Sequence, residues 1–461
     1  MLNDGLNTKI SNIKLGRIVD EIVQEKSKSI NIKIEITRKE YESRWKKVQS
    51  SMASKGYDLL YACGSELDRS DIAWLAGIFD PMIERYGLIL PLEGRPIILA
   101  GWEGAQVFSE AVERSGAEIA QLKEFQISDQ DYRWANFISF EKILHQLGLS
   151  GQNKKIVIVS SPETLPYSHF LMIQRCFKME NIIFDPGVLS HTKYEKSDAE
   201  LAIMQEANKI ADAALRGMLA ACVPGVTELQ VASVGDMIMK ALGARRTGFC
   251  TIVTSGNRGY TIIGAATNKV IRKGETVSLG VSPTFNGYHG VVRRTIVVGK
   301  KPSIDQIEFF KAVEGLYVAV IEAVQQAAKE NLPSNYIDAK GKEYLEKLKL
   351  KTLRGSLHTP HEPYIFVHNI GCSECQEGFG AVTPYTNYPL GNQVALAIDT
   401  ALIGFEKKDT PIFPVLYAVI EDAFWKKGTR VGVYNIMPLN VQHLVGNLDP
   451  ITDVNPYHKE L

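Results

Sequence analysis

Lys273-Gly274-Glu275-Thr276-Val277-Ser278-Leu279-Gly280-Val281-Ser282-Pro283-Thr284-Phe285-Asn286-Gly287-Tyr288-His289-Gly290-Val291-Val292-Arg293-Arg294-Thr295 is the stretch from which the fold can be read. Lys273-Gly274-Glu275 is a turn signal, and the apolar run from Thr276 to Val281 suits a buried strand. A second run, Val291 to Val298, is rich in β-branched residues, which pack well on a pleated surface. Asn286-Gly287 lies between the runs, and both residue types accept the positive φ that a tight hairpin turn demands. A β-hairpin is therefore expected. On its second strand Arg293 is a charged side chain among Val291, Val292, Thr295 and Ile296, so it needs a partner. Side-chain alternation puts His289 on the same face as Arg293. An imidazole beside a guanidinium stays neutral and can act as a base near pH 7.

This frame resembles the hairpin of the pita-bread family that includes methionine aminopeptidase, aminopeptidase P, prolidase and creatinase. Metallopeptidase members carry one Asp on each strand, in a pattern like GD-hydrophobic-D followed by GY-x-x-D-x-T-R-T. Aligned on Gly274, Gly287-Tyr288 and Arg294-Thr295, those two positions are Gly280 and Val291, neither of which can hold a metal. Ser278-Leu279, Pro283 and Gly287-Tyr288 fit the variant found in creatinase, which cleaves a C–N bond of a guanidino compound without metal. The resemblance implies an α/β N-terminal domain over residues 1–190 and an α+β pita-bread domain over residues 191–461.

It also implies where the remaining polar groups converge. The family orders its metal ligands Asp, Asp, His, Glu, Glu. Here His368 in His368-Asn369-Ile370-Gly371, Asp399 at the end of Gln393 to Asp399, and Glu421 in Val419-Ile420-Glu421-Asp422 retain possible ligands. Asp399 or Glu421 is the expected partner of Arg293, since replacing a metal by Arg neutralises the same carboxylates. Glu377 matches the family's Glu after the His loop. The essential His of creatinase aligns with Ile263 and its hairpin Glu with Arg293, so creatine itself is not the expected substrate.

The rest of the chain fits that outline. Its 461 residues suffice for two or three domains, and 45% hydrophobic with 23% charged residues is ordinary for a soluble globular protein. A formal net charge of zero argues against a nucleic-acid or anionic-membrane partner. No apolar run of membrane-spanning length and no signal core are present, so a cytoplasmic protein is expected. Six scattered cysteines suggest reduced thiols. Tyr41, Trp45, Val48 and Met52 recur at helical spacing and predict a helix ending near Gly56. Strands are expected at 57–62, 72–77, 86–91, 95–99, 155–159 and 182–185, with a short helix and strand before residue 36. Ser197 with Glu200, and Ser303 with Gln306, are capping boxes that open long helices. The segment from His358 to Glu377 holds three histidines and the pair Cys372 and Cys375, a density that allows a zinc site but matches no standard finger.

The expected function is a metal-independent, creatinase-like hydrolase or lyase, without a cofactor, cleaving a C–N bond of a small polar guanidino, amidino or amide compound. His368 is assigned as general acid or base, Glu377 and Glu421 as carboxylates holding a cationic group or water, and His289 as proton carrier. Arg293, Tyr288, Asp399 and Ile263 are assigned to substrate binding. The resemblance adds a homodimer in which Arg85 reaches the rim of the opposite site. Two alternatives stand beside this: a catalytically silent binding module, and an Xaa-Pro-type aminopeptidase or dipeptidase with an altered metal site.

Overall fold

The structure, a computed structural model, describes every residue other than 1–11, 67, 80–81, 83, 128–130, 152, 349, 352–356, 359–361, 374–378 and 407–414. It divides into two compact units, one of residues 35–195 with 376–379 and one of residues 1–34, 196–375 and 380–461.

The first unit is an α/β layer. Its helix Arg38–Lys55 is capped by Thr37, whose side chain accepts from the Glu40 N–H, and ends at left-handed Gly56. Tyr41, Trp45, Val48 and Met52 are buried, as their spacing requires. Six strands, β1 (Leu59–Gly64), β2 (Tyr86–Pro91), β3 (Ile97–Ala100), β4 (Glu118–Gln121), β5 (Ile156–Ile158) and β6 (Ile182–Phe184), form one sheet in the order β4-β3-β2-β1-β5-β6. The strand expected at 72–77 is instead the helix Ser70–Ala76. Asp68 accepts from the Ser70 N–H at 3.1 Å and hydroxyl at 2.9 Å, starting a turn, and a six-residue apolar run carries no periodicity that would distinguish the two states.

Residues 12–34, read from sequence with the first domain, pack in the second unit. The helix Asn12–Lys26 buries Leu15, Ile18, Val19 and Ile22, and a single 3-10 turn, Ser27–Ser29, replaces the expected strand. The Asn31 N–H donates to Glu206 at 2.8 Å, which ties this segment to the helix Asp198–Ala221. Both expected capping boxes are formed, at Ser197 with Glu200 and at Ser303 with Gln306.

The strands of this unit are β7 (Arg246–Thr247), β8 (Ile252–Ser255), β9 (Thr276–Val281), β10 (Pro283–Phe285), β11 (Tyr288–His289), β12 (Val292–Val297), β13 (Leu350–Lys351), β14 (Leu357–His358), β15 (Val367–Asn369), β16 (Gln393–Glu406), β17 (Val415–Lys427) and β18 (Arg430–Val433). A seven-stranded sheet runs β15-β16-β17-β12-β9-β8, with β18 on β17, and a small sheet runs β11-β10-β7. The predicted hairpin is present, and its tip turns at Asn286 and Gly287 with φ of 44° and 82°. Its arms change sheet midway. A Cβ on Gly290 would meet the Ala207 backbone at 2.5 Å, so only glycine allows this approach to the helix Asp198–Ala221. Asn208 of that helix accepts from the Val291 N–H at 3.0 Å. The ladder of β12 with β9 therefore starts at Val292, and Val291 is buried beside the helix. Among the described residues, no helix is long and apolar enough to cross a membrane.

Candidate functional site

The register of the large sheet assembles the site. Ile252 pairs with Gly280, Gly280 with Arg293, Arg293 with Glu421, and Glu421 with Asp399, a single row across five strands. Residues directly opposite each other in a sheet share a face. His368 pairs with Ala397, two residues from Asp399, and so joins the same face. Four polar side chains that are widely separated in sequence meet by register alone.

Their distances define a buried charge cluster. Arg293 Nη1 lies 3.5 Å from Asp399 Oδ2, 3.4 Å from Glu421 Oε2 and 3.2 Å from the Tyr364 hydroxyl. Nη2 donates to the Ile262 carbonyl at 2.9 Å and to the Tyr417 hydroxyl at 2.6 Å. Tyr364 donates to Asp399 Oδ1 at 3.0 Å and lies 2.9 Å from the Tyr417 hydroxyl. His368 Nε2 is 3.6 Å from Glu421 Oε1, and its Nδ1 is 3.2 Å from the Asn369 carbonyl. The expectation that Arg293 pairs with Asp399 or Glu421 is met by both at once.

Burial and the Glu421 carboxylate push Asp399 up to about 8, against the opposite pull of Arg293 and His368. Burial alone would lower the Arg293 pKa, but Tyr364, Tyr417, Asp399 and Glu421 raise it well above the ordinary value, so the guanidinium stays charged. Burial pushes the Tyr417 hydroxyl up to about 12, keeping it a neutral hydrogen-bonding group. The cluster thus joins a fixed cation to a carboxyl that holds a proton near neutrality.

Other assigned residues lie elsewhere. The expected shared face of His289 and Arg293 is not formed, because the break at Gly290-Val291 leaves His289 in the small sheet. Its backbone N–H and its Nδ1 both lie at the Gly371 carbonyl, at 2.9 and 3.1 Å. Tyr288 is buried and donates to Glu200 at 2.8 Å. Ile263 is 71% exposed in the loop that follows β8, one residue after the Ile262 carbonyl that holds Arg293. Arg85 is exposed in the first unit. Glu377 and Cys375 fall outside the described residues, while Cys372 is buried. Sequence reasoning missed Tyr364 and Tyr417. Tyr417 stands four residues before Glu421 on one strand, so period-two alternation already placed both on one face. Tyr364 lies in a loop and gave no such signal.

His368, Asp399 and Glu421 each offer a ligand atom, all within 4.8 Å of one another, and they are the only such group among the described residues. The family of the resemblance uses a pair of divalent cations, and these residues do not fit one. Among the described residues three donors are too few for two ions, Gly280 and Val291 offer none, and the guanidinium stands against both carboxylates.

A family description, metallopeptidase family M24, matches residues 202–424. The chain is 35% identical to the uncharacterized peptidase YqhT of Bacillus subtilis over 150 residues, which is 32% of this chain and 42% of that protein. It is 27% identical to the Xaa-Pro dipeptidase of Pyrococcus furiosus over 262 residues, 56% of this chain and 68% of that one. The prolidase of Pyrococcus horikoshii superposes with a TM-score of 0.66 at 18% identity, covering 87% of this chain and all of that one. The chain therefore has the pita-bread fold, and its residues 202–424 match the description of metallopeptidase family M24.

Proposed function

We propose that this chain is an amide hydrolase of the Xaa-Pro dipeptidase and aminopeptidase type with an altered centre, in which Arg293 supplies the positive charge. The relatives favour a peptide bond over the guanidino compound expected from the creatinase-like motif. The observation that carries the reading is the single face holding Arg293, Glu421, Asp399 and His368.

Amide hydrolysis needs a base for the attacking water, a positive field for the developing oxyanion and a proton for the leaving nitrogen. Glu421 lies within 3.6 Å of His368 and orients its imidazole toward the face, which suits His368 to the first role. Arg293 and the Tyr364 hydroxyl are donors for the second. Asp399 holds a proton for the third. Water adds across the C–N bond, its hydroxyl going to the carbonyl carbon and its proton, through His368 or Asp399, to the amine. Metal independence and the pairing of two copies, with Arg85 at the rim of the opposite site, belong to the same proposal.

The assay is amine release from a panel of Xaa-Pro dipeptides and small guanidino and amidino compounds, with and without EDTA. We expect turnover of a dipeptide that EDTA does not remove and that falls at least about 10²-fold in His368→Ala. Loss of activity in EDTA, restored by metal, would overturn the altered centre. One observation favours a second reading, a silent binding module: Tyr364 and Tyr417 close hydrogen bonds on the two terminal nitrogens of the guanidinium and on each other. No turnover on any panel member would establish that alternative.

A further inference from the structure

We propose that Arg293 is the resident cation of this centre: its guanidinium occupies the place where a divalent ion would bind, and His368, Asp399 and Glu421 take up one transition-metal ion only once it is removed. The three side chains have the right chemistry for such an ion, an imidazole nitrogen and two carboxylate oxygens within 4.8 Å of one another. What denies it entry is a like charge, fixed 3.5 and 3.4 Å from those same carboxylates.

Three features show that the chain is built to hold the guanidinium there. Gly280 faces Arg293 across the ladder, and a Cβ at Gly280 would lie 2.6 Å from Arg293 Cγ, so the arginine stem runs through the space a side chain would fill. The Ile262 carbonyl that accepts from Nη2 belongs to a β-branched residue at φ 61° and ψ −60°, a conformation such residues rarely adopt. The loop carrying it is pinned by Glu228, wholly buried, which accepts from the N–H and hydroxyl of both Ser255 and Thr267 and from Arg258. Strain at Ile262 is thus maintained by a satisfied network and directed at one target. Glu228 and Gly280 are positioning residues for Arg293.

The inference does not rest on the proposed hydrolysis, since metal uptake is read without turnover. The metal-stripped full chain, Arg293→Ala, Arg293→Gln and the double variant Arg293→Ala/His368→Ala are titrated with Zn²⁺ by calorimetry and with Co²⁺ by visible absorption. We expect no stoichiometric uptake by the unaltered chain. We expect one equivalent in Arg293→Ala and Arg293→Gln, bound roughly 10²-fold more tightly than by the unaltered chain, and none in the double variant. One His368-dependent equivalent in the unaltered chain would overturn the proposal, as would folded Arg293→Ala that binds none. Should Arg293→Ala unfold when stripped, recovery of its fold by Zn²⁺ supports the proposal, and failure to recover counts against it. A second measurement reads the arginine stem itself: Gly280→Ala should lower the melting temperature of the unaltered chain more than that of Zn²⁺-loaded Arg293→Ala, which has no Cγ to meet, whereas equal losses would remove the link between Gly280 and the arginine.

Discussion

Arg293 and Arg294 are adjacent, both buried, and point to opposite faces of β12, yet they live in different chemistry. Arg294 is fully bonded. Its Nε donates to the Pro438 carbonyl at 2.7 Å, Nη1 to the Arg293 and Glu421 carbonyls at 2.9 and 3.0 Å, and Nη2 to both oxygens of Asp422 at 2.9 and 3.0 Å. Asp422 accepts further from Tyr317 at 2.8 Å and Asn455 at 2.9 Å. Arg293 keeps a buried Nε without a partner and meets two carboxylates only at 3.4 to 3.5 Å. The tight face is structural cement. The loose face crowds two carboxyls round one cation and keeps a proton on one of them, a perturbed titration that is the usual mark of a site. Asp422, with its bonded arginine, is pushed by burial only to about 6, whereas Asp399 reaches about 8.

The largest expected effect tests that contrast directly. Arg294→Ala would leave the Asp422 charge buried and uncompensated, and should cost about 3–5 kcal/mol in urea unfolding. Arg293→Ala should cost less, about 1–3 kcal/mol, because Asp399 can hold a proton in its place. Equal losses would break the distinction between the faces.

Next come the tyrosines, one on each face. Tyr317→Phe removes a hydroxyl bonded to Asp422 and should cost about 1.5–3 kcal/mol. For Tyr417→Phe the expected loss is about 0.5–1.5 kcal/mol, since Tyr364 still donates to Asp399. Thermal denaturation of the two variants ranks them, and the reverse order would make the Arg293 face the tighter one. Gly280→Ala, which crowds only the Arg293 face, should cost about 1–3 kcal/mol through overpacking.

The smallest effect is a control outside both faces. Glu84 in the first unit is buried beside Gly101 and Gly104, and burial raises its carboxyl to about 7, the Gly104 N–H lowering it and Glu103 raising it. A folded pKa above the unfolded one means the folded state holds the proton more tightly. That contribution is complete below about pH 4.5 and is lost as pH rises through about 7. Glu84→Gln should therefore flatten the fall in stability between pH 5 and 8 by on the order of 1 kcal/mol. An unchanged slope would show that Glu84 is not the titrating group.

Much of the fold was legible because its signals are local. Asn286-Gly287 specifies its turn through the φ values it tolerates, and the Ser197 and Ser303 boxes satisfy helix N–H groups within four residues. The site was legible only in part. His368, Asp399 and Glu421 were found through family motifs, whereas the helix at Ser70–Ala76 and the departure of His289 were not foreseen. Period two holds only while a strand is unbroken, and Gly290 breaks it for a contact with Ala207 that no local pattern announces.

By itself, then, the sequence determined the two strands of the hairpin, where that hairpin turns, and that a charged arginine stands on its second strand among apolar neighbours. The tertiary structure alone decided that Arg293 meets both carboxylates, that Tyr364 and Tyr417 complete its shell, and that Gly280 faces its stem. The reason is register. Arg293 and Glu421 are 128 residues apart, and which residue opposes which is set by the packing of the whole sheet, a cooperative choice that no short stretch encodes.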